Sequence, residues 1–384
     1  MEDSRAGGIT VTKIDSLTGL RLFAALAVFA AHLDPPTTLP GVLQTVMRSG
    51  YAGVTLFFVL SGFVLTWTYA DRMTSPDLAS LRDFAVARFA RIAPLYLAAL
   101  ALMFLVTDGV LPEGAWLHLF ALQTWSGNFD TAFGINPPGW SLGVETFFYA
   151  FFPLLLWALL PSSVRRILTV ALVAVLALGA ATLVIYLTGG NDLDVRDPAS
   201  DHRWLYRTPL TRVPDFLIGM SVALIVLRSD GAKRWAPLMQ WASVGAILLL
   251  MASDAMLDSI LSWDLAYAPV VGVLIWSLAS APLAPLARVL AHPLLVRGGL
   301  VSFAFYLFHL PILELVEINI GDGRVWLMSA VSGLVLTLLV SIGAHLAIEV
   351  PAQRWLRHRL SSRGSRDLPV ILSTEPAVAP DHRR

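Results

Sequence analysis

The stretch "GLRLFAALAVFAAHL", Gly19 to Leu33, sets an arginine and a histidine in an otherwise unbroken apolar run. Arg21 and His32 are eleven residues apart. On an α-helix that separation is about 20° from a whole number of turns and about 16 Å of axial rise. The two polar side chains therefore share one stripe of a single helix, at different depths. A helix crossing the hydrocarbon core needs roughly 20 apolar residues, and an arginine near its middle costs on the order of 2.5–3.5 kcal/mol by insertion scales. Two readings of Arg21 stand open: it snorkels to the near interface, or it faces protein with a task. His32 lies too deep in the run to snorkel, and imidazole is the side chain best suited to general-base work near neutral pH.

The rest of the chain has the same character. Of its 384 residues, 56% are hydrophobic and 14% charged, whereas soluble proteins run about 45–50% apolar and about 25% charged. Net charge is zero, so no nucleic-acid footprint is present. There is no cysteine, which excludes disulfides, thiolate catalysis and zinc–sulfur sites. No small-residue cleavage site follows the first apolar run, which reads as a retained span and not a signal peptide.

Runs of spanning length fall near 17–34, 51–70, 92–108, 141–160, 167–187, 210–227, 236–253, 264–281, 300–318 and 326–348. The fold class is therefore all-α, a polytopic membrane helix bundle of about ten transmembrane helices. The piece "WLHLFALQTW", Trp116 to Trp125, is too short to cross and is expected to be re-entrant or interfacial. With ten crossings and the N-terminus in the cytoplasm, twenty of the 27 Lys and Arg lie inside, five lie outside and Arg21 and Arg212 fall within spans. This is a strong positive-inside bias, which puts both termini in the cytoplasm. The organisation reads as a cytoplasmic segment 1–15, a membrane domain 16–356 and a polar tail 357–384 expected to be disordered.

Several spans carry groups that are expensive in lipid. "GYAGVTLFFVLSGFVLTWTY" has Gly50, Gly53 and Gly62 with Ser61, notches that permit close helix approach. "FAVARFARIAPLYL" puts Arg88 and Arg91 three apart at the entry of the third span. Such a pair is either a topology signal or a clamp for an anionic cofactor, since guanidinium grips phosphate bidentately. Glu145 sits inside the fourth span, just after a rigid Asn-Pro-Pro-Gly turn. It is either salt-bridged to Arg21 or Arg212, or it orients His32 as a dyad partner. "RVPDFLIGM" offers Arg212 and Asp215 as a pair, "SFAFYLFHLPI" carries Tyr306 and His309, and "HLAIEVPAQRWLR" sets His345 and Glu349 at i, i+4, read as structural.

Taken together, the arginine–histidine spacing of Arg21 and His32, "GVTLFFVLSGF", "RFARIAPLY", "WSLGVETFFYAFFP", "RVPDFLIGM", "SFAFYLFHLP" and "IEVPAQRW" occur in the order found in acyltransferase family 3. The chain resembles these bacterial integral-membrane O-acyltransferases over Ser16 to Leu356. The resemblance implies transfer of an acyl group, acetyl first among them, from acyl-CoA to a hydroxyl of a carbohydrate or glycosylated small molecule, with no metal. Matched residue by residue, it implies catalytic roles for His32 and Glu145 and donor-binding roles for Arg21, Arg88 and Arg91. Ser61, Tyr306, His309 and Arg212 are supporting candidates. The expected partners are acyl-CoA, the acceptor and the lipid bilayer, with no nucleic acid. The competing function is a transporter or exporter of acylated polysaccharide, favoured by many spans and disfavoured by the absence of visible internal repeats.

Overall fold

The computed structural model describes residues 14–107, 109–229, 233–257, 259–320 and 326–360, the side chains of 318–320 excepted. Each expected apolar run coincides with one helix. These are α1 (Asp15–Ala31), α2 (Ala52–Tyr69), α3 (Leu78–Val106), α4 (Trp140–Leu159), α5 (Val164–Leu187), α6 (Val213–Leu227), α7 (Ala236–Met251), α8 (Ala268–Ser280), α9 (Pro293–Ile320) and α10 (Trp326–Ala344). A last helix, α11 (Val350–Leu360), follows a π-helical turn at His345–Glu349. Among the described residues, seven helical stretches are long and apolar enough to cross a membrane and α6 and α7 are apolar but shorter, which supports seven to nine of the roughly ten expected crossings; α1, at 17 residues, is in neither group. The fold is an all-α polytopic bundle, as the composition requires.

Local chemistry sets several helix boundaries. The Asp77 carboxylate accepts from the Ser80 amide at 2.9 Å and caps α3, satisfying one of the amides that a helix start leaves orphaned. The Ser163 hydroxyl accepts from the Arg166 amide in the same way at the start of α5. Pro137 and Pro138 hold a tight turn that delivers Trp140 into α4. The segment from Trp116 to Trp125 does not cross. It forms two short turns, Trp116–Leu119 and Gln123–Trp125, with Trp116, Leu119, Phe120, Leu122 and Trp125 exposed. That is the arrangement expected of an interfacial piece.

The helices divide into a buried centre and an apolar rim. The spanning windows of α9 and of the stretch containing α2 are 83% and 78% buried, against 22% for α5 and 28% for the stretch containing α10. A helix that is apolar on its exposed face as well suits lipid and not water. The glycine notches work as expected: a Cβ on Gly50 or Gly53 would strike the Ala27 or Ala24 carbonyl of α1. Gly62 and Gly219 do the same for each other's helix, since a Cβ on Gly62 would meet Phe216 O and one on Gly219 would meet Val59 O. Small residues let the α2 and α6 backbones touch, which is how helices associate when lipid is as apolar as the side chains.

The expected domain edge at Leu356 falls inside α11, which runs to Leu360. Residues 361–384 of the expected tail and most of the N-terminal segment lie outside the described residues.

Candidate active site

Four of the five residues expected to carry activity line one cavity. Arg21 from α1, Arg88 and Arg91 from α3 and Glu145 from α4 meet there, with Ser61 of α2, Tyr149 of α4, Phe303 of α9, and Gln353 and Arg357 of α11. The cavity encloses about 100 Å³. Glu145 lies within electrostatic range of Arg21, Arg91 and Arg88. Tyr149, one turn along α4, stands beside Glu145 in the same lining, with Ser61 of α2 also in the wall. Arg88 is sandwiched among aromatic faces, its guanidinium carbon 5.8 Å from the centroid of Tyr69, 5.9 Å from Phe84 and 5.7 Å from Tyr149. Arg91 forms an ion pair with Glu349, which is 1% exposed, and lies 4.9 Å over the Phe303 ring.

A second, smaller cavity of about 40 Å³ shares Arg21, Phe57, Glu145 and Phe303 with the first and ends at Ser141 and Tyr306. On α9 its lining runs from Phe303 to Tyr306, one turn short of His309. The Tyr306 and His309 rings are 5.9 Å apart, and the Tyr306 hydroxyl donates to the Pro138 carbonyl at 3.1 Å.

His32 stands at the other end of the stripe from Arg21. It is the C-cap residue of α1, exposed, and its neighbour is His309, not Glu145. The two imidazole rings lie 4.9 Å apart edge to face, with His309 Nε2 3.4 Å from His32 Nδ1. This corrects the expected dyad of His32 and Glu145. Glu145 joins α1 at the level of Arg21, about three turns from His32, where it balances guanidinium charge.

Backbone carbonyls fix both tautomers. His32 Nδ1 is 2.8 Å from Val28 O, and His309 Nδ1 is 2.6 Å from Tyr306 O. A carbonyl oxygen only accepts, so each Nδ1 carries hydrogen and each Nε2 holds a lone pair when the ring is neutral. His32 therefore presents a basic Nε2, while His309 turns its own Nε2 toward the His32 Nδ1–H. A base held by a third group in this way is a recurring catalytic arrangement.

Arg212 belongs to a separate cluster. It reaches Asp215 at 3.2 Å and Asp264 at 2.8 Å, and donates to Thr55 Oγ1 at 2.9 Å and Trp263 O at 3.1 Å. All three charged groups are buried. The pairing with Asp215 was legible from spacing; Asp264, in the turn before α8, was not. His345 and Glu349 form the expected i, i+4 pair at 2.8 Å. What spacing missed is that Glu349 also grips Arg91, so the pair is part of the cavity wall.

The profile of the family 3 acyltransferase domain matches residues 14–346. The chain is 30% identical to the acyltransferase MdmB of Streptomyces mycarofaciens, over 96% of this chain and 97% of that protein. It is 24% identical to the O-acetyltransferase OatA of Staphylococcus aureus, covering 89% of this chain and 57% of the relative. A putative O-acetyltransferase of S. aureus strain COL matches at 23% over the same shares. No solved structure is similar. A profile match over residues 14–346, together with 30% identity along nearly the whole of a relative, places the protein in a family of enzymes: it belongs to the family 3 acyltransferases.

Proposed function

We propose that the protein moves an acyl group, acetyl in the first instance, from acyl-CoA to a hydroxyl of a surface glycan or glycosylated metabolite. The observation that carries this reading is the alignment of two poles along one helix stripe. Buried arginines gather around Arg21, and a tautomer-fixed histidine pair stands at His32, about 16 Å further along. Acyl-CoA has the matching shape, with phosphates at one end and a thioester at the end of a long flexible arm.

The donor enters from the arginine side. With the N-terminus in the cytoplasm, Arg21, Arg88 and Arg91 sit on the cytoplasmic half of their helices and Arg357 on α11 beyond the last span, on the side where acyl-CoA is found. The lysine and arginine distribution supports the same orientation, with both termini inside. Arginine is the residue suited to bidentate phosphate contacts in a poorly hydrated site.

Transfer then rests on His32. Its Nε2 takes the acceptor hydroxyl proton as the oxygen attacks the thioester carbonyl. The carbon–sulfur bond breaks, and the proton passes from the imidazolium to the departing CoA thiolate, so that ester and free CoA are the products. The imidazolium is supported on its other nitrogen by Val28 O and the His309 Nε2 lone pair. A general base so placed contributes about 10²- to 10⁴-fold.

Mass spectrometry of surface glycans and secreted metabolites, from cells with and without the intact gene, tests the reading. An acyl mass shift lost with the gene and restored by the wild-type copy is expected. Glycans and metabolites identical in the two strains would contradict it, and export lost without any change of acylation would favour the transporter.

A further inference from the structure

The cavity has a wall that the arginine motif on α3 does not supply. The π-helical turn at His345–Glu349 inserts into the helical path from α10 to α11, and such turns re-aim the residues that follow them. Past it, α11 lays Gln353 and Arg357 into the cavity opposite Arg88. Arg357 is 9% exposed, its Nε has no hydrogen-bond partner, and it lies within electrostatic range of Arg88. Arg88 Nε is likewise buried without a partner.

Arg91 is differently placed. Its Nη1 pairs with Glu349 while its Nη2 is buried without a hydrogen-bond partner, and Glu349 is held by His345 Nδ1 at 2.8 Å and by Gln353 Nε2 at 3.1 Å. Every partner of that carboxylate other than Arg91 lies on the turn or on α11. The Arg91–Glu349 pair therefore ties α3 to α11 and fixes where Arg357 stands.

The charges do not close without a ligand. Arg21, Arg88, Arg91 and Arg357 face only Glu145 and Glu349 among the residues that line or pair into the cavity, which leaves two positive charges in excess. Guanidinium groups gathered with unspent donors in a water-poor site form an anion site. An excess of two charges suits a diphosphate better than a carboxylate.

Resting on the donor assigned above, we propose that the phosphates of CoA are clamped between Arg88 and Arg357, across α3 and α11. Arg91 is a positioning residue that acts through Glu349. The helix after the last span is then a working part of the donor site and not an exit.

Binding of CoA, and of pantetheine as the phosphate-free probe, to the purified full-length protein in detergent tests this. Arg88→Ala and Arg357→Ala should each weaken CoA binding about tenfold or more, as expected for charge-assisted hydrogen bonds, and leave pantetheine binding unchanged. Arg357→Lys should recover part of the loss. Glu349→Gln gives the sharper sign. Removing a carboxylate from beside an anion site tightens CoA if Arg91 is itself the clamp, but weakens it if Glu349 holds α11 in place. Weakening is the expected result, with thermal unfolding in detergent confirming that the variant is folded.

Wild-type affinity for CoA in Arg357→Ala, or tighter CoA binding in Glu349→Gln, overturns the inference while leaving the donor assignment intact. No CoA binding by the wild type would instead remove the donor assignment on which it rests.

Discussion

His309 Nε2 lies 3.4 Å from His32 Nδ1, and both rings anchor their Nδ1–H to a backbone carbonyl. Under the proposed mechanism this relationship makes His309 a positioning residue, one that orients the base and faces the charge that develops on it. His309→Ala should lower kcat by about tenfold or more and leave the KM for acyl-CoA unchanged, a loss smaller than that from removing the base itself. His309→Gln, which offers an acceptor oxygen at a similar reach, should recover part of kcat. Steady-state kinetics with acetyl-CoA reads both; equal activity in wild type and His309→Ala would remove His309 from the site.

The buried cluster of Arg212, Asp215 and Asp264 sets a first stability test. Arg212→Ala leaves two buried carboxylates without a counter-charge, a change on the order of 3–5 kcal/mol. Asp215→Asn still leaves the 2.8 Å pair of Arg212 with Asp264 and should cost far less. Thermal unfolding in detergent should rank the two variants in that order, with Arg212→Ala also reducing the amount of protein recovered from membranes.

The α2–α6 crossing sets a second stability test. Gly62 and Gly219 admit the opposing backbones, which cannot retreat as a flexible side chain would. Gly219→Val should destabilise by about 1–3 kcal/mol or more, the range for overpacking. Gly245→Ala is the control, because a Cβ there meets nothing within 4 Å. Equal melting temperatures for the two variants would mean that the crossing is looser than described.

His202, in the loop between α5 and α6, gives a pH signature. It is enclosed by Phe129, Phe133, Tyr206 and Trp263. Burial first, and then the nearby Arg207 charge, push its pKa down to about 4. The unfolded chain takes up this proton near the ordinary value of about 6.5. Between about 6.5 and about 4 the unfolded state binds a proton that the folded state does not, so stability falls as pH falls through that window. His202→Phe keeps the aromatic packing and removes the titration. Its melting temperature should decline less than that of the wild type across the same window.

How much of this was legible in the sequence follows from what periodicity can encode. The apolar runs gave the spans because lipid demands length and composition, whatever the neighbours. The spacing of Arg88 and Arg91 placed them on one face, and that of Arg212 and Asp215 made them a pair. Periodicity fixes a face but not the helix it meets. Nothing near His32 in the chain announces His309, 277 residues away, and Glu145 was the more conspicuous carboxylate to assign to it. Arg357 was hidden in a different way. It sits among basic residues after the last span, where arginines ordinarily report topology, and only the π-helical turn turns it into the cavity.

The central claim is that His32 supplies the base while the arginine cavity holds the donor. His32→Asn separates the two, because the amide N–H can still donate to Val28 O while no basic nitrogen remains at the Nε2 position. The most direct measurement is the rate of CoA release from acetyl-CoA by the purified variant with its acceptor present. The account predicts kcat lowered by about 10²- to 10⁴-fold with CoA affinity unchanged; a kcat equal to that of the wild type would contradict it.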